Sequence, residues 1–303
     1  MKIFITGGTG FIGSALTESL SQREHQITIL TRSIKHRRVP TERVLFLEGD
    51  PTLPGSWQEH AAENDAVINL AGFSIFRRWG RKTKEAILQS RIRTTQNLVS
   101  GICKTKRKDT SLISASAVGY YGFGGDQILD ESSPPGNDFL ASVVRAWEEE
   151  AEKARDFGVR VVLCRFGIIL GRRGGVFPLM RRAFDSYAGS QFGKGKQWLS
   201  WIHEQDLINI LTFLLEREDI EGPINCTSPH PVRSKELTQT LKVALAKPTL
   251  IPRVPGFMLR LLLGEFSQIL LQGQRIIPRR LLVLNFPYQY PHIKDALNDL
   301  LKP

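Results

Sequence analysis

The chain has 303 residues, room for one large domain or two small ones, and its 41% apolar and 23% charged residues match ordinary globular usage, which excludes disordered and fibrous architectures. Three scattered cysteines, Cys103, Cys164 and Cys226, show no CxxC spacing and so argue against a disulfide framework or a cysteine zinc site, fitting a reducing compartment. Forty-one basic against 30 acidic residues give +11, which favours acidic partners, but the excess sits in short clusters such as Arg77-Arg78 and Arg279-Arg280 without interleaved aromatics, so nucleic acid is not expected.

Met1-Lys2 leads straight into an apolar strand at Lys2–Thr6, from which neither a signal nor a transit segment is expected, and a cytoplasmic location is. Further buried strands are predicted at residues 26–30, 44–47, 66–70, 111–114 and 159–166. Helical periodicity fills gaps between them at 11–21, 83–102 and 141–156. Runs such as VRVVLC lack alternation, as strands covered on both faces do. The reading is α/β, a doubly wound parallel sheet.

After Gly171 glycines scatter from Gly174 to Gly195, a composition that shows only flexibility. A helix at 205–216, a strand-like PINCTS, a helix at 234–246, a Pro-flanked helix at 258–271 and a last helix from Ile293 are predicted. The 256–271 stretch carries Arg260 and Glu265 and is too short to span a bilayer. It is expected as an amphipathic helix packed on the body, and a membrane is not an expected partner.

Directly after the first strand stands Thr6-Gly7-Gly8-Thr9-Gly10-Phe11-Ile12-Gly13, opening a helix. Such glycines allow a tight turn, close approach of backbone to a pyrophosphate and close helix–strand packing, with the free amides of Phe11 and Ile12 and the helix dipole facing the anion. This strand–turn–helix motif predicts a Rossmann dinucleotide-binding domain over 1–170 and a smaller, mostly helical substrate lobe over 171–303. The second strand ends in Thr31-Arg32, where an NAD-selective site usually has an acid; Arg32 instead suits a 2′-phosphate, so the predicted cofactor is NADP. Asp50 is placed to receive an adenine amino group, and Leu70-Ala71 end the fourth strand beside the cofactor.

Ile87, Arg91, Thr94 and Leu98 follow steps of four, three and four, which puts Arg91 beside a buried face where it needs a carboxylate, carbonyls or a ligand phosphate. Arg165, ending its strand, is open between a ligand contact and an internal ion pair. Both are cofactor-site candidates. The acidic run at 148–150 with Glu152 is read as a solvated outer face. His203 either touches substrate or steadies the junction before the helix at 205, with Asp206 close by. The six histidines show no metal spacing, and there is no GxSxG elbow.

TGGTGFIG, the NLAG segment and Ser114-Ala115-Ser116-Ala117-Val118-Gly119-Tyr120-Tyr121-Gly122 resemble the markers of extended short-chain dehydrogenases/reductases. More narrowly the chain resembles the atypical epimerase-family subgroup, through RFGIILG at 165–171, Trp201-Ile202-His203 with Asp206, and Gly273-Gln274-Arg275 through Pro278-Arg279-Arg280-Leu281. The resemblance implies a serine and a YxxxK helix for proton transfer. Ser116 matches the serine. Where YxxxK should fall stand Phe139/Val143 or Leu140/Val144, so no tyrosine–lysine dyad exists there. Tyr120 and Tyr121, next to Ser116, are candidates to replace it. The expected function is an NADP-dependent oxidoreductase or epimerase-like enzyme on an unknown small substrate. The alternative is a nonenzymatic NADP(H)-binding sensor or scaffold, and a homodimer is left open.

Overall fold

A computed structural model describes residues 1–35, 42–104, 110–247 and 253–302. Seven strands form the central sheet: β1 (Lys2–Thr6), β2 (Gln26–Thr31), β3 (Val44–Glu48), β4 (Ala66–Asn69), β5 (Ser111–Ala117), β6 (Arg160–Phe166) and β7 (Gly222–Cys226). They lie in the order β7-β6-β5-β4-β1-β2-β3, every neighbouring pair parallel. This doubly wound order reverses between β1 and β4, which opens a crevice at their carboxyl ends.

Side chains alternate along each strand, and both faces are covered. Ile3, Ile5, Ile27 and Ile29 pack with Leu16 and Leu20 of α1 (Phe11–Gln22) and with Leu207, Ile210 and Leu214 of α6 (Glu204–Glu216). Phe4, Val67 and Leu112 point the other way, onto α2 (Trp57–Ala62), α3 (Arg81–Ile102) and α4 (Phe139–Glu152). Burying such an isoleucine or leucine contributes about 1.5–3 kcal/mol, so neither face tolerates a one-residue slip.

The second half builds a third core of Phe177, Trp201, Leu237 and Leu297 among α5 (Phe177–Asp185), α7 (Ser234–Ala244) and α11 (Ile293–Leu300). It is not confined to its own lobe. β7, beyond the expected division at residue 170, adds the edge strand of the large sheet beside β6.

Two helix readings change. The helix expected at 141–156 is α4 followed by a separate 3-10 turn, Lys153–Phe157. The helix expected at 258–271 is broken into α8 (Gly256–Leu263), a 3-10 turn and α9 (Ser267–Leu271). The break is at Gly264, whose φ of 61° with ψ of −140° is a conformation open to glycine and closed to a continuing helix. α8 is also far less packed on the body than expected, with Leu259 its one buried residue. α10 (Arg279–Val283) follows α9 and precedes α11 in the chain. Among the described residues no helix is long and apolar enough to cross a membrane.

Candidate functional site

The glycine turn borders the crevice between β1 and β4. Gly7 adopts a φ of 71°, and a Cβ on it would stand 2.7 Å from the carbonyl carbon of Leu70, so the turn lies directly against the end of β4. A Cβ on Gly13 would stand 2.2 Å from the carbonyl oxygen of Gly7, so α1 rests on the turn itself. Gly10 is extended, its amide donating to Gly7 at 2.9 Å, and no side chain caps the helix behind it. The opening amides of α1, at Phe11 and the buried Ile12, therefore keep their donors and the positive end of the helix dipole for a ligand. The Phe11 ring is covered by the loop at 171–175: a Cβ on Gly174 would stand 2.3 Å from it.

Three further positions flank this cradle. Arg32 is exposed just past β2, beside Thr31, whose hydroxyl donates to the Ser33 carbonyl at 3.2 Å. Asp50 accepts from the amide and hydroxyl of Thr52 at 2.9 and 2.7 Å through one oxygen, leaving the other. Leu70 and Ala71 present backbone against Gly7. Arg91, on α3, donates through Nη1 to the carbonyls of Phe73 and Ile87, both at 3.0 Å, and its guanidinium lies over the Trp147 ring at 5.1 Å. No carboxylate answers it among the described residues, and burial pushes its pKa down to about 10. A cation so placed beside Gly72 suits an anionic ligand.

Arg165 resolves the other way. Ser116, Arg165 and Asn225 form one register row across β5, β6 and β7. Glu148 of α4 reaches into this row. Its Oε1 accepts from Arg165 Nε at 2.8 Å and from Ser116 Oγ at 2.5 Å, and its Oε2 accepts from Arg165 Nη2 at 2.7 Å. Arg165 Nη1 donates to the Tyr121 hydroxyl at 2.9 Å, which donates to Asn225 Oδ1 at 2.7 Å. The Tyr120 ring covers the guanidinium at 3.5 Å. Arg165 thus takes the internal ion pair and, 3% exposed, has no free edge for a ligand. The solvated reading of Glu148 is overturned: it is buried, because Ala141, Val144, Glu148 and Ala151 share one face of α4 at steps of three, four and three. That spacing was present in the sequence and marks Glu148 as a buried acid in need of a cation.

Of the catalytic candidates, Ser116 and Tyr121 are built into this network, and burial pushes Tyr121 up to about 12 despite its bonds to Arg165 and Asn225. Tyr120 is half-buried, and its hydroxyl has no hydrogen-bond partner among the described residues. Phe139, at the helix start where the dyad tyrosine is expected, meets the Trp79 ring edge-on at 5.3 Å and lies under Lys84 Nζ at 4.9 Å. With Arg81, Leu88 and Glu265 these line a cavity of about 380 Å³. His203 caps α6, its Nδ1 accepting from the Gln205 amide at 3.1 Å, so it steadies the junction, while Asp206 accepts from the amides of Gln289 and Tyr290. Among the described residues no cluster could hold a metal ion.

The sequence profile of the NAD dependent epimerase/dehydratase family matches residues 3–226, and that of a domain of unknown function, DUF1731, matches 254–300. The chain is 40% identical over 308 residues to the epimerase family protein SDR39U1 homolog, chloroplastic, of Arabidopsis thaliana, an alignment covering 100% of this chain and 87% of the relative. It is 37% identical over 302 residues to the epimerase family protein YfhF of Bacillus subtilis, covering 99% and 98%. Among solved structures, that of human epimerase family protein SDR39U1 (isoform2) with NADPH is similar at a TM-score of 0.85 and 32% identity, covering 99% of both chains. With the family profile running through all seven strands of the sheet and relatives aligned nearly end to end, the chain belongs to the NAD dependent epimerase/dehydratase family.

Proposed function

We propose that the chain holds NADP(H) across the carboxyl ends of β1, β2 and β4 and acts on a small substrate as an oxidoreductase or epimerase-like enzyme that dispenses with the tyrosine–lysine dyad. The observation that carries this reading is the cradle at Gly7 and Gly13, wedged so tightly against Leu70 and α1 that no side chain fits. Crystallisation of the human relative with NADPH supports it.

Gly7, Gly10, Phe11, Ile12 and Gly13 would hold the diphosphate, Arg32 with Thr31 the ribose 2′-phosphate, Asp50 the adenine, and Leu70, Ala71 and Arg91 the remainder. NADP(H), when bound, supplies a donor or acceptor of hydride. The Ser116 hydroxyl donates its one hydrogen bond to Glu148, so toward a ligand its oxygen can only accept. Tyr121 is held protonated between Arg165 and Asn225. The hydroxyl of Tyr120 is the one left to move a proton at a substrate oxygen. The loop at 171–175, seated on Phe11, shields this end of the crevice from water.

Calorimetry with NADPH and NADH, followed by NADPH oxidation against a panel of carbonyl and sugar-nucleotide compounds, tests the proposal. NADPH should bind more tightly than NADH, and Tyr120→Phe should slow turnover by about 10²-fold or more, the range of acid–base assistance. Absence of heat with both dinucleotides overturns the cofactor assignment. Tight NADPH binding with no turnover across the panel overturns the catalytic one in favour of a sensor.

A further inference from the structure

Helix α8 and the loop before α3 bring together side chains for which the nucleotide site has no use. In α8, Phe257, Met258, Leu261 and Leu262 are 70%, 43%, 77% and 65% exposed. The helix leads through Gly264 to Phe266, whose ring packs edge-on against Phe76 at 6.1 Å, and Phe76 is itself half exposed. A Cβ on Gly264 would stand 3.6 Å from Arg78 Nε, so the basic loop lies against the end of α8. Arg77, Arg78, Arg81 and Lys82 are exposed in this loop and at the start of α3, and exposed Arg253 and Arg260 sit within the α8 segment. None of these six makes an ion pair among the described residues. Glu265, the one acid between 253 and 271, is taken by Lys84.

We infer that this face lies on an anionic phospholipid surface, with Phe257, Leu261 and Leu262 at the boundary between headgroups and acyl chains and the arginines on lipid phosphates. Stable attachment needs apolar burial and electrostatic attraction together, and this face carries both. Side chains this exposed stand out from the surface and do not line a groove, a shape that suits a fluid bilayer better than a folded partner. The charge of the whole chain, +11, has the required sign. A helix lying in the interface needs no bilayer-spanning length.

Co-sedimentation of the full chain with vesicles tests the inference, using phosphatidylcholine alone and phosphatidylcholine mixed with phosphatidylglycerol, each at low and high salt. Binding is expected to the anionic vesicles only, falling as salt rises. Phe257→Ser combined with Leu261→Ser, and separately Arg77→Glu combined with Arg78→Glu, should each weaken it about tenfold or more, the first by removing apolar burial and the second by removing attraction to lipid phosphates. NADPH affinity should stay unchanged in both, which verifies their folding. Failure to sediment with anionic vesicles, or equal sedimentation of the variants, overturns the inference. Self-association in gel filtration that the serine pair abolishes, without vesicle binding, also overturns it and gives the face to a second copy of the chain.

Discussion

The carboxylate of Glu148 meets the guanidinium of Arg165 through two parallel hydrogen bonds, 2.8 Å to Nε and 2.7 Å to Nη2, with both side chains less than a tenth exposed. Burial opposes the charge on Arg165, but the Glu148 bond and charge outweigh it and raise its pKa above the ordinary arginine value. Removing one partner strands the other. Glu148→Ala should therefore cost about 3–5 kcal/mol in guanidinium chloride unfolding, whereas Glu148→Leu with Arg165→Met should recover most of that loss. Equal losses in the single and double variants would show that the pair is not what the helix and strand depend on.

If Arg32 grips the ribose 2′-phosphate as proposed, it sets the choice between the two dinucleotides. Replacing it with alanine should weaken NADPH by roughly 10- to 150-fold, the equivalent of a charged hydrogen bond of about 1.5–3 kcal/mol. NADH affinity should hardly move. Titration calorimetry of both ligands on both proteins decides it, and a parallel loss of NADH would mean that Arg32 acts on the fold and not on the phosphate.

Gly13 leaves no room for a methyl group. With its Cβ position 2.2 Å from the Gly7 carbonyl oxygen, Gly13→Ala must push α1 away from the turn. Overpacking of this kind costs about 1–3 kcal/mol. The melting temperature should drop, and the rise that NADPH produces in the unsubstituted chain should shrink or vanish. Full retention of that rise would move the diphosphate elsewhere.

His203 makes stability depend on pH. Burial lowers its pKa from 6.5 to about 4, with Asp299 opposing the shift and Arg172 adding to it. Between these values the unfolded chain takes up a proton that the folded chain refuses. Its contribution is therefore complete above about pH 6.5 and is lost as the pH falls toward 4. Urea midpoints measured across that window should decline less steeply in His203→Asn, which keeps a capping side chain but does not titrate. An unchanged slope would assign the acid sensitivity to other groups.

The central sheet was legible because its signals are local. KIFIT is an apolar run between a chain start and a glycine turn, and β1 has the limits read from it. Gly264 escaped notice because its neighbours are apolar and only its backbone angle, 61°, breaks the helix. Glu148 was misread through its acidic neighbours at 149, 150 and 152, although its own position belongs to the buried stripe. The fate of Arg165 depended on Glu148 in turn, a partner 17 residues away on another element. Placement of Gly222–Cys226 at the sheet edge rests on pairing with a strand far back in the chain, and composition carries no trace of that. The glycine turn that opens α1 followed from spacing alone. Arg91's want of a counter-charge needed three-dimensional neighbours to be seen.

Because the strand that finishes the sheet is the seventh and lies past residue 221, a nascent polypeptide of 170 residues would emerge from the ribosome with β6 as a bare rim. An unsatisfied rim of amides and carbonyls beside VRVVLC is an invitation to aggregate. Shortened expression clones of this protein should therefore extend past Cys226, and tags or breakpoints intended to be silent belong beyond it.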